Sequence, residues 1–479
     1  MLDTSEPRAV LRVELALLAV VVAGAGLVHG LTIREGQGWL DDWASYVAHA
    51  RNIAEDLPYA DTGYVYNQAN PVAGPRAYPP VYPMILAPVY ATGGLDLDAM
   101  KLQVVLILLA LLVAVWALVR RWHPPWMALS AAAAFGFSPF MNGFKDNVLS
   151  DIPFALFAVV AILLIDLAER APAPQPWRYG GAIGLAAWLA YGTRTVGLML
   201  LVAMLVHLAL RHGRRIPLYA WVATGTFAVM AGVQGAVVPG GSGYTDQLAL
   251  VTPRLIANNA WRYLRSLEGL TVNGYISVAG TILLVVVTAL ALIGYATKLP
   301  RERRTVVEVL VPLYVAAITA WPAFQSLRFL IVLLPFYALY ALLGAVWLGE
   351  QLGARRVAVA MLGLVVGLSY LGVYVRLTYE PVADGPTTPA AQDAFHWVRE
   401  NTDPTDLLLF LRPKALALYT GRRSATIGLG WDEQRIADYA GKVGARYLVD
   451  GPVDPGTFTG IRGARVVYAN GEFTILLVP

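Results

Sequence analysis

The sequence predicts a polytopic α-helical membrane protein that ends in a small α/β domain. Three observations predict it. Of 479 residues, 57% are hydrophobic and only 14% charged, where a soluble chain carries about a quarter charged residues. The excess gathers in runs such as residues 10–28 and 102–119, each near the ~20 residues that cross a hydrocarbon core. Near residue 385 the pattern changes, and short strand-like apolar runs alternate with amphipathic helical stretches.

Composition also excludes several chemistries. There is no cysteine, so disulfides, thiol catalysis and cysteine-ligated metals are ruled out. The six histidines are scattered without HExxH spacing, which argues against a zinc site. The formal charge of +4 belongs to basic loops on one membrane side and implies no nucleic-acid partner.

Eleven spans are expected, at about 10–31, 98–119, 126–140, 151–168, 179–192, 196–210, 217–238, 276–297, 306–322, 329–349 and 357–377. The first apolar run is too long for a signal peptide and has no small-residue cleavage site, so it reads as a retained helix. The 179–210 pair hinges at "YGTRTVG" and could instead form one long tilted helix. Lys and Arg are dense in alternate loops, as in Arg120-Arg121, Arg211 with Arg214-Arg215, and Lys298 with Arg301, Arg303 and Arg304. Those loops should be cytoplasmic. The N-terminus is then inside the cell membrane. Asp41-Asp42, the 141–150 loop, the 239–275 loop and the C-terminal tail are then extracytoplasmic.

The first outer loop is long, about 32–97. Trp43, Val47, Ala50 and Ala54 form one helical stripe, with Asp42, His49, Asn52 and Asp56 off it. This predicts a helix lying in the interface with its acids toward water. Pro79, Pro80, Pro83 and Pro88 follow, which favours an interfacial or re-entrant piece over a span. "APAPQP" at 171–176 reads as a short cytoplasmic linker. The chain divides into a membrane domain, 1–384, and an α/β domain, 385–479. In the latter, Asn470-Gly471 between two β-rich runs signals a hairpin.

Three constellations could carry chemistry. Asp42 and Tyr46 are i, i+4 and can face one pocket; a carboxylate at a partly desolvated surface suits a general base. An N-cap explains one of Asp41 and Asp42 equally well, although two acids exceed what a cap needs. Asp151 opens a span just after Lys145 and Asp146. Capping explains that position taken alone, and a shared site with Asp41 and Asp42 becomes plausible because acids near hydrocarbon are costly. Arg194, Arg328 and Lys145 lie at apolar boundaries on the same side. Snorkelling accounts for any one of them, while the arginine fork matches a phosphate.

Taken in order, these residues resemble the GT-C superfamily of polytopic glycosyltransferases, in the branch of protein O-mannosyltransferases and bacterial aminoarabinose transferases. The motifs are D-x-x-x-Y at Asp42–Tyr46 with "VAHARNIAE", the proline-rich stretch at 79–86, and the acid in "LSDIPFALF". They continue with "TRTVGL", the Arg-Phe element at 328–335, and "WVRENTDP" with "LALYTGR" in the tail. Many relatives have Asp-Glu in the first motif, the second acid at the position Trp43 fills here, so Asp41 and Asp42 both stay candidates for the base. The resemblance implies a GT-C-like fold, a sugar carried on a polyprenyl phosphate, and reaction on the outer face with inversion at the anomeric carbon. It implies catalytic Asp42, Asp41 and Asp151, and substrate-binding Tyr46, His49, Tyr78, Lys145, Arg194 and Arg328. The acceptor would be a glycan, lipid or protein hydroxyl, in contact with membrane lipid. No cofactor is firmly implied; some relatives use a divalent metal at the phosphate, a role the cations here can take.

The chemistry is consistent with this. A phosphate leaves readily, so the harder task is activating the acceptor hydroxyl, which a carboxylate can do. The competing expectation is a lipid or polysaccharide transporter or flippase without covalent chemistry. Transporters show related halves and mid-span ionisable groups; here no halves are evident and the acids cluster at one surface.

Overall fold

The structure is a computed structural model that describes residues 8–173, 175–238, 244–270, 278–300, 302–428, 430–452 and 463–479. Arg301 and parts of the 171–176 linker and the 239–275 loop lie outside these residues. The first third forms α1 (Arg8–Leu31), α2 (Asp42–Ala54), β1 (Tyr64–Val65), α3 (Val81–Gly93), α4 (Leu97–Arg120), α5 (Pro125–Gly136) and α6 (Pro139–Phe144). The bundle continues with α7 (Asp151–Arg170), α8 (Pro176–Thr193), α9 (Leu198–His212), α10 (Leu218–Val237), α11 (Tyr244–Leu248), α12 (Pro253–Ser266), α13 (Val278–Ala296), α14 (Val306–Ala320), α15 (Leu334–Gln351) and α16 (Arg355–Tyr374). The remainder is α17 (Pro389–Asn401), β2 (Leu407–Leu409), α18 (Pro413–Thr420), β3 (Arg423–Ala425), α19 (Glu433–Val443), β4 (Ala445–Asp450), β5 (Arg465–Ala469) and β6 (Thr474–Leu477).

This is a multi-pass membrane protein. Each of the eleven expected segments holds a helix. Among the described residues, eight helical stretches are long and apolar enough to cross a membrane. The other three segments hold α5, α8 and α14, with 12, 18 and 15 residues. The 179–210 pair is two helices: Arg194 is extended (φ −149°, ψ 129°) and a 3-10 turn at Thr195–Gly197 leads into α9.

Small residues let the helices approach. A Cβ on Gly344 would overlap the Leu290 carbonyl oxygen, and one on Gly294 the Tyr340 carbonyl oxygen, so α13 and α15 meet backbone to backbone. Gly180 and Gly184 do the same for α8 against α10. At the end of the bundle remote from α2, Glu14 accepts from Arg120 Nε at 2.9 Å and Trp116 Nε1 at 3.0 Å. Polar pairs of this kind align antiparallel α1 and α4 where the apolar faces alone would permit sliding.

The sheet order is β1-β3-β2-β4-β6-β5. β1, β3, β2 and β4 run parallel, and β4-β6-β5 are antiparallel. The Asn470-Gly471 hairpin forms as expected, with Gly471 at φ 89° and the Asn470 amide on the Phe473 carbonyl at 3.1 Å. The edge strand β1 comes from the first loop, so the sheet crosses the 384/385 boundary. Trp39 sits among Phe395, Phe410 and Phe473 at centroid distances of 6.4, 5.7 and 6.1 Å. The first loop and the tail are therefore built on each other, on one side of the bundle.

One expectation is corrected here. α2 does not lie in the interface with its acids in water. Trp43 through Ala50 are all buried, because α2 packs between α3 below and α18 above. Asp42 turns inward onto Arg328 and onto Lys414 of α18, and His49 and Asn52 turn onto backbone of the first loop itself. Asp56, past the end of α2, stays exposed.

Candidate functional site

Four segments meet at the top of the bundle. The first is the start of α2, which presents Asp42 and, one turn later, Tyr46. The second is the start of α7, where Asp151 is 2% exposed. The third is the extended residue Arg194 between α8 and α9. The fourth is the 3-10 segment Ser326–Leu333 that leads into α15 and carries Arg328. Eight residues is long for a 3-10 helix. It starts at Ser326 with φ 53°, a left-handed conformation uncommon outside glycine. That turn brings the chain back over α7, so Arg328 points at both acids.

Arg328 joins the two acids. Its Nη1 donates to Asp42 Oδ2 at 2.7 Å and its Nε to Asp151 Oδ2 at 2.8 Å. Arg194 donates to the other oxygen of Asp151 and lies 4.4 Å over the Phe329 ring, a cation–π contact that restricts it. Asp42 Oδ1 accepts from the Tyr78 hydroxyl and faces Lys414 Nζ at 3.4 Å. Lys414 also donates to the Tyr78 hydroxyl at 3.1 Å and the Ala73 carbonyl at 2.9 Å. The expected Asp42–Tyr46 face exists: the Tyr46 hydroxyl pairs with Ser150 Oγ at 2.8 Å, tying α2 to the residue just before Asp151.

The two neighbouring aspartates do different things. Asp41 turns away from Arg328 and accepts from the backbone amides of Ala415 and Lys414 at 3.1 and 3.4 Å. It caps α18, whose own N-cap residue Arg412 makes no side-chain cap. Neither acid caps α2 through its side chain. Burial raises the Asp41 carboxyl to about 6, against the pull of Lys414 and the Ala415 amide. Burial also works to raise Asp42, but the Arg328 and Lys414 charges and the Tyr78 hydroxyl outweigh it and hold it well below the usual carboxylate range.

His49 and Lys145 do not reach this cluster. His49 Nδ1 donates to the Tyr59 carbonyl at 2.8 Å, and its Nε2 accepts from the Tyr78 amide at 3.2 Å. Both nitrogens are engaged, and burial holds the ring down to about 4. It is a neutral buttress for Tyr78. Lys145 donates to the Thr32 carbonyl at 2.7 Å and Asp146 at 2.9 Å, pinning the start of the first loop. Both are placed as supports of the loop, which sequence boundaries do not distinguish from ligands. Lys414 was not anticipated. The signal was there: a lysine in the first turn of a helix opposes the helix dipole, and it is tolerated where a carboxylate waits.

Asp42 and Asp151 are already paired with three cations, Arg194, Arg328 and Lys414, so these residues do not fit a divalent cation. Among the described residues no group of three or more His, Asp or Glu converges to hold one. The arrangement can do two things. It presents an oxygen base beside a tyrosine hydroxyl, and it gathers three cations against two acids, leaving attraction for one more negative charge.

The fold is GT-C-like, as expected, and the resemblance to the mannosyltransferase and aminoarabinose transferase branch is carried by one partial family match and by fold. The family model for dolichyl-phosphate-mannose-protein mannosyltransferase matches residues 77–236, a stretch that holds Tyr78, Asp151 and Arg194. The chain is similar to the crystal structure of ArnT from Cupriavidus metallidurans bound to undecaprenyl phosphate, with a TM-score of 0.57 and 14% identity over 97% of this chain and 98% of that one. It is also similar to the oligosaccharyltransferase AglB from Archaeoglobus fulgidus in complex with an inhibitory peptide and a dolichol-phosphate. There the TM-score is 0.61 and the identity 14%, over 91% of this chain and 69% of that one. An Archaeoglobus fulgidus oligosaccharyltransferase in complex with Zn and sulfate gives 0.60 and 13%, over 91% and 68%. No curated protein matches the chain. At these identities the likeness to the solved structures is one of fold.

Proposed function

We propose that this protein is an inverting glycosyltransferase. It moves a sugar from a polyprenyl-phosphate donor to a hydroxyl acceptor on a glycan, lipid or protein, at the outer face of the cell membrane. The observation that carries the reading is the bridge from Asp42 through Arg328 to Asp151, with Arg194 and Lys414 at its two ends. The similar ArnT structure binds undecaprenyl phosphate and the similar AglB a dolichol-phosphate, which supports a lipid phosphate as the donor's head.

The charges balance through the reaction. With Asp42 and Asp151 ionised and Arg194, Arg328 and Lys414 protonated, the site carries one net positive charge. A polyprenyl-phosphate sugar is a phosphodiester with one negative charge. The acceptor oxygen attacks the anomeric carbon, the carbon–phosphate-oxygen bond breaks, and Asp42 takes the acceptor proton. The site then carries two positive charges. The polyprenyl phosphate released is a monoester approaching two negative charges. Arg194 and Arg328 follow that developing charge with fork geometry. A phosphate that draws Arg328 toward itself also loosens its grip on Asp42, which raises the basicity of that carboxylate when the donor is present.

The test is to incubate the purified full chain with a panel of polyprenyl-phosphate sugars and membrane-derived acceptors, and to resolve products by mass. A product heavier than its acceptor by one sugar, absent with Asp42→Asn, is expected. Bound donor with no transfer to any acceptor class would sink the enzyme reading.

A further inference from the structure

At the far end of the bundle lies a second concave site. α7 starts at Asp151 in the cluster above and ends at Arg170 in the wall of this cavity. Twenty residues of helix put about 30 Å between them. The cavity measures about 300 Å³ and is lined almost entirely by charged side chains from the ends of α4, α7, α9 and α13 and the approach to α14.

Part of that charge is internally neutralised. Asp166 accepts from Arg121, from Trp122 Nε1 at 2.7 Å and from Arg170 at 2.9 Å. Glu169 lies 3.0 Å from His207 and 3.4 Å from Arg211. The other wall is different. Lys298, Arg303 and Arg304 have no carboxylate within ion-pair distance among the described residues. Glu302 beside them is exposed at the rim. The Arg304 Nε is buried and has no hydrogen-bond partner among the described residues. Burial lowers the Lys298 ammonium; Glu308 opposes this, and Arg170 and Arg303 lower it further. Basic residues on one membrane face are ordinary, but here Lys298 and Arg304 are half-buried and share a cavity wall with the exposed Arg303, where like charges raise the local potential unless an anion joins them.

We propose that this cavity binds a phosphate-class anion, with Lys298, Arg303 and Arg304 as its ligands. Arginine forks and a lysine point charge suit tetrahedral oxyanions. A phospholipid headgroup from the adjoining leaflet and free phosphate present the same chemistry. The inference stands on the far-side geometry and does not depend on the transferase reading.

The test uses the full chain in nanodiscs and has two arms. Inorganic phosphate is titrated in phosphatidylcholine discs and followed by calorimetry. Retained lipid is counted by native mass spectrometry from discs that also contain phosphatidylglycerol. Saturable binding is expected in one arm, which identifies the source. Lys298→Gln with Arg304→Gln should weaken it about tenfold or more, the size expected for a lost charge-assisted contact. Arg303 is exposed, so Arg303→Gln probes the site even if the paired variant does not fold, and it should also weaken binding. Arg356→Gln removes an exposed basic charge outside the cavity and should leave binding unchanged. Absence of saturable binding in both arms overturns the proposal. So does equal weakening by Arg356→Gln, which would mean diffuse surface electrostatics.

Discussion

Asp42 and Asp41 differ by one position and by their partners. Asp42 has one oxygen on Arg328 and the other on Tyr78, with 24% of its side chain exposed. In the proposed reaction that exposed part is where the acceptor hydroxyl would approach. Both oxygens of Asp41 are held by α18 amides. Asp42→Asn should therefore cut turnover by ~100-fold or more with donor binding retained, since an amide cannot take the proton. Asp41→Asn should cost ~1 kcal/mol of stability, because its single acceptor oxygen leaves one of the two α18 amides without a partner, and keep most activity. Near-native turnover in Asp42→Asn beside a dead Asp41→Asn would reverse the assignment. Lys414 is one of the charges that hold Asp42 down. Lys414→Met should raise the Asp42 carboxyl, so the acid limb of kcat/KM should move to higher pH; a limb that stays put removes Lys414 from the site's electrostatics. His49 gives a stability effect of defined sign. Its folded-state value of about 4 lies below the ordinary 6.5, so the unfolded chain takes the proton first as pH falls. Stability should decline from about pH 6.5 and level off near pH 4, by up to ~3 kcal/mol. Thermal unfolding in detergent should show this slope, and His49→Gln should flatten it.

The site depends on where elements begin. α7 starts at Asp151, and the 3-10 approach to α15 presents Arg328. The position of α15 is set by its glycine contact with α13. Gly344→Val should drive the helices apart, cost ~1–3 kcal/mol, and lower both the unfolding midpoint and turnover, because Arg328 lies on the 3-10 segment that runs directly into α15. An unchanged midpoint would show that the two helices can adjust without loss. α18 delivers Lys414, and it is oriented by an acid from the first loop in place of a cap of its own. Exchanging that acid for another residue type therefore acts on the tail at a distance.

The whole chain joins a membrane bundle to a sheet that needs the first loop. Removing residues 385–479 should leave an inserted protein that still binds donor, since Arg194, Arg328 and Asp151 all belong to the bundle. It should lose acceptor use, because Lys414 goes and Trp39 loses its aromatic partners. Loss of donor binding as well would place the phosphate contacts in the tail. Orientation is tested by Glu472→Cys, an exposed position in a chain without native cysteine. Labelling of intact cells from outside is expected; labelling only after the membrane is opened would put the site on the cytoplasmic face.

Membrane helices announce themselves because each must be apolar along its own length. A helix in each of the eleven segments was readable for that local reason, eight of them long and apolar enough to cross a membrane among the described residues. The Asn470-Gly471 hairpin was readable from its turn residues and the face shared by Asp42 and Tyr46 from the helical period. Arg194, Arg328 and Asp151 were readable as charges left at apolar boundaries, where keeping them is costly. Local pattern could not say which charges meet. Arg328 reaches Asp42 across 286 positions and Lys414 reaches it across 372; no periodicity carries such pairings. Nor could it show that α2 is roofed by α18, since a stripe with acids beside it looks the same against a lipid surface and inside a protein. The division of labour between Asp41 and Asp42, and of His49 and Lys145 from the cluster, follows from which neighbour each side chain meets. Those neighbours are assembled only when the loop, the bundle and the tail pack together.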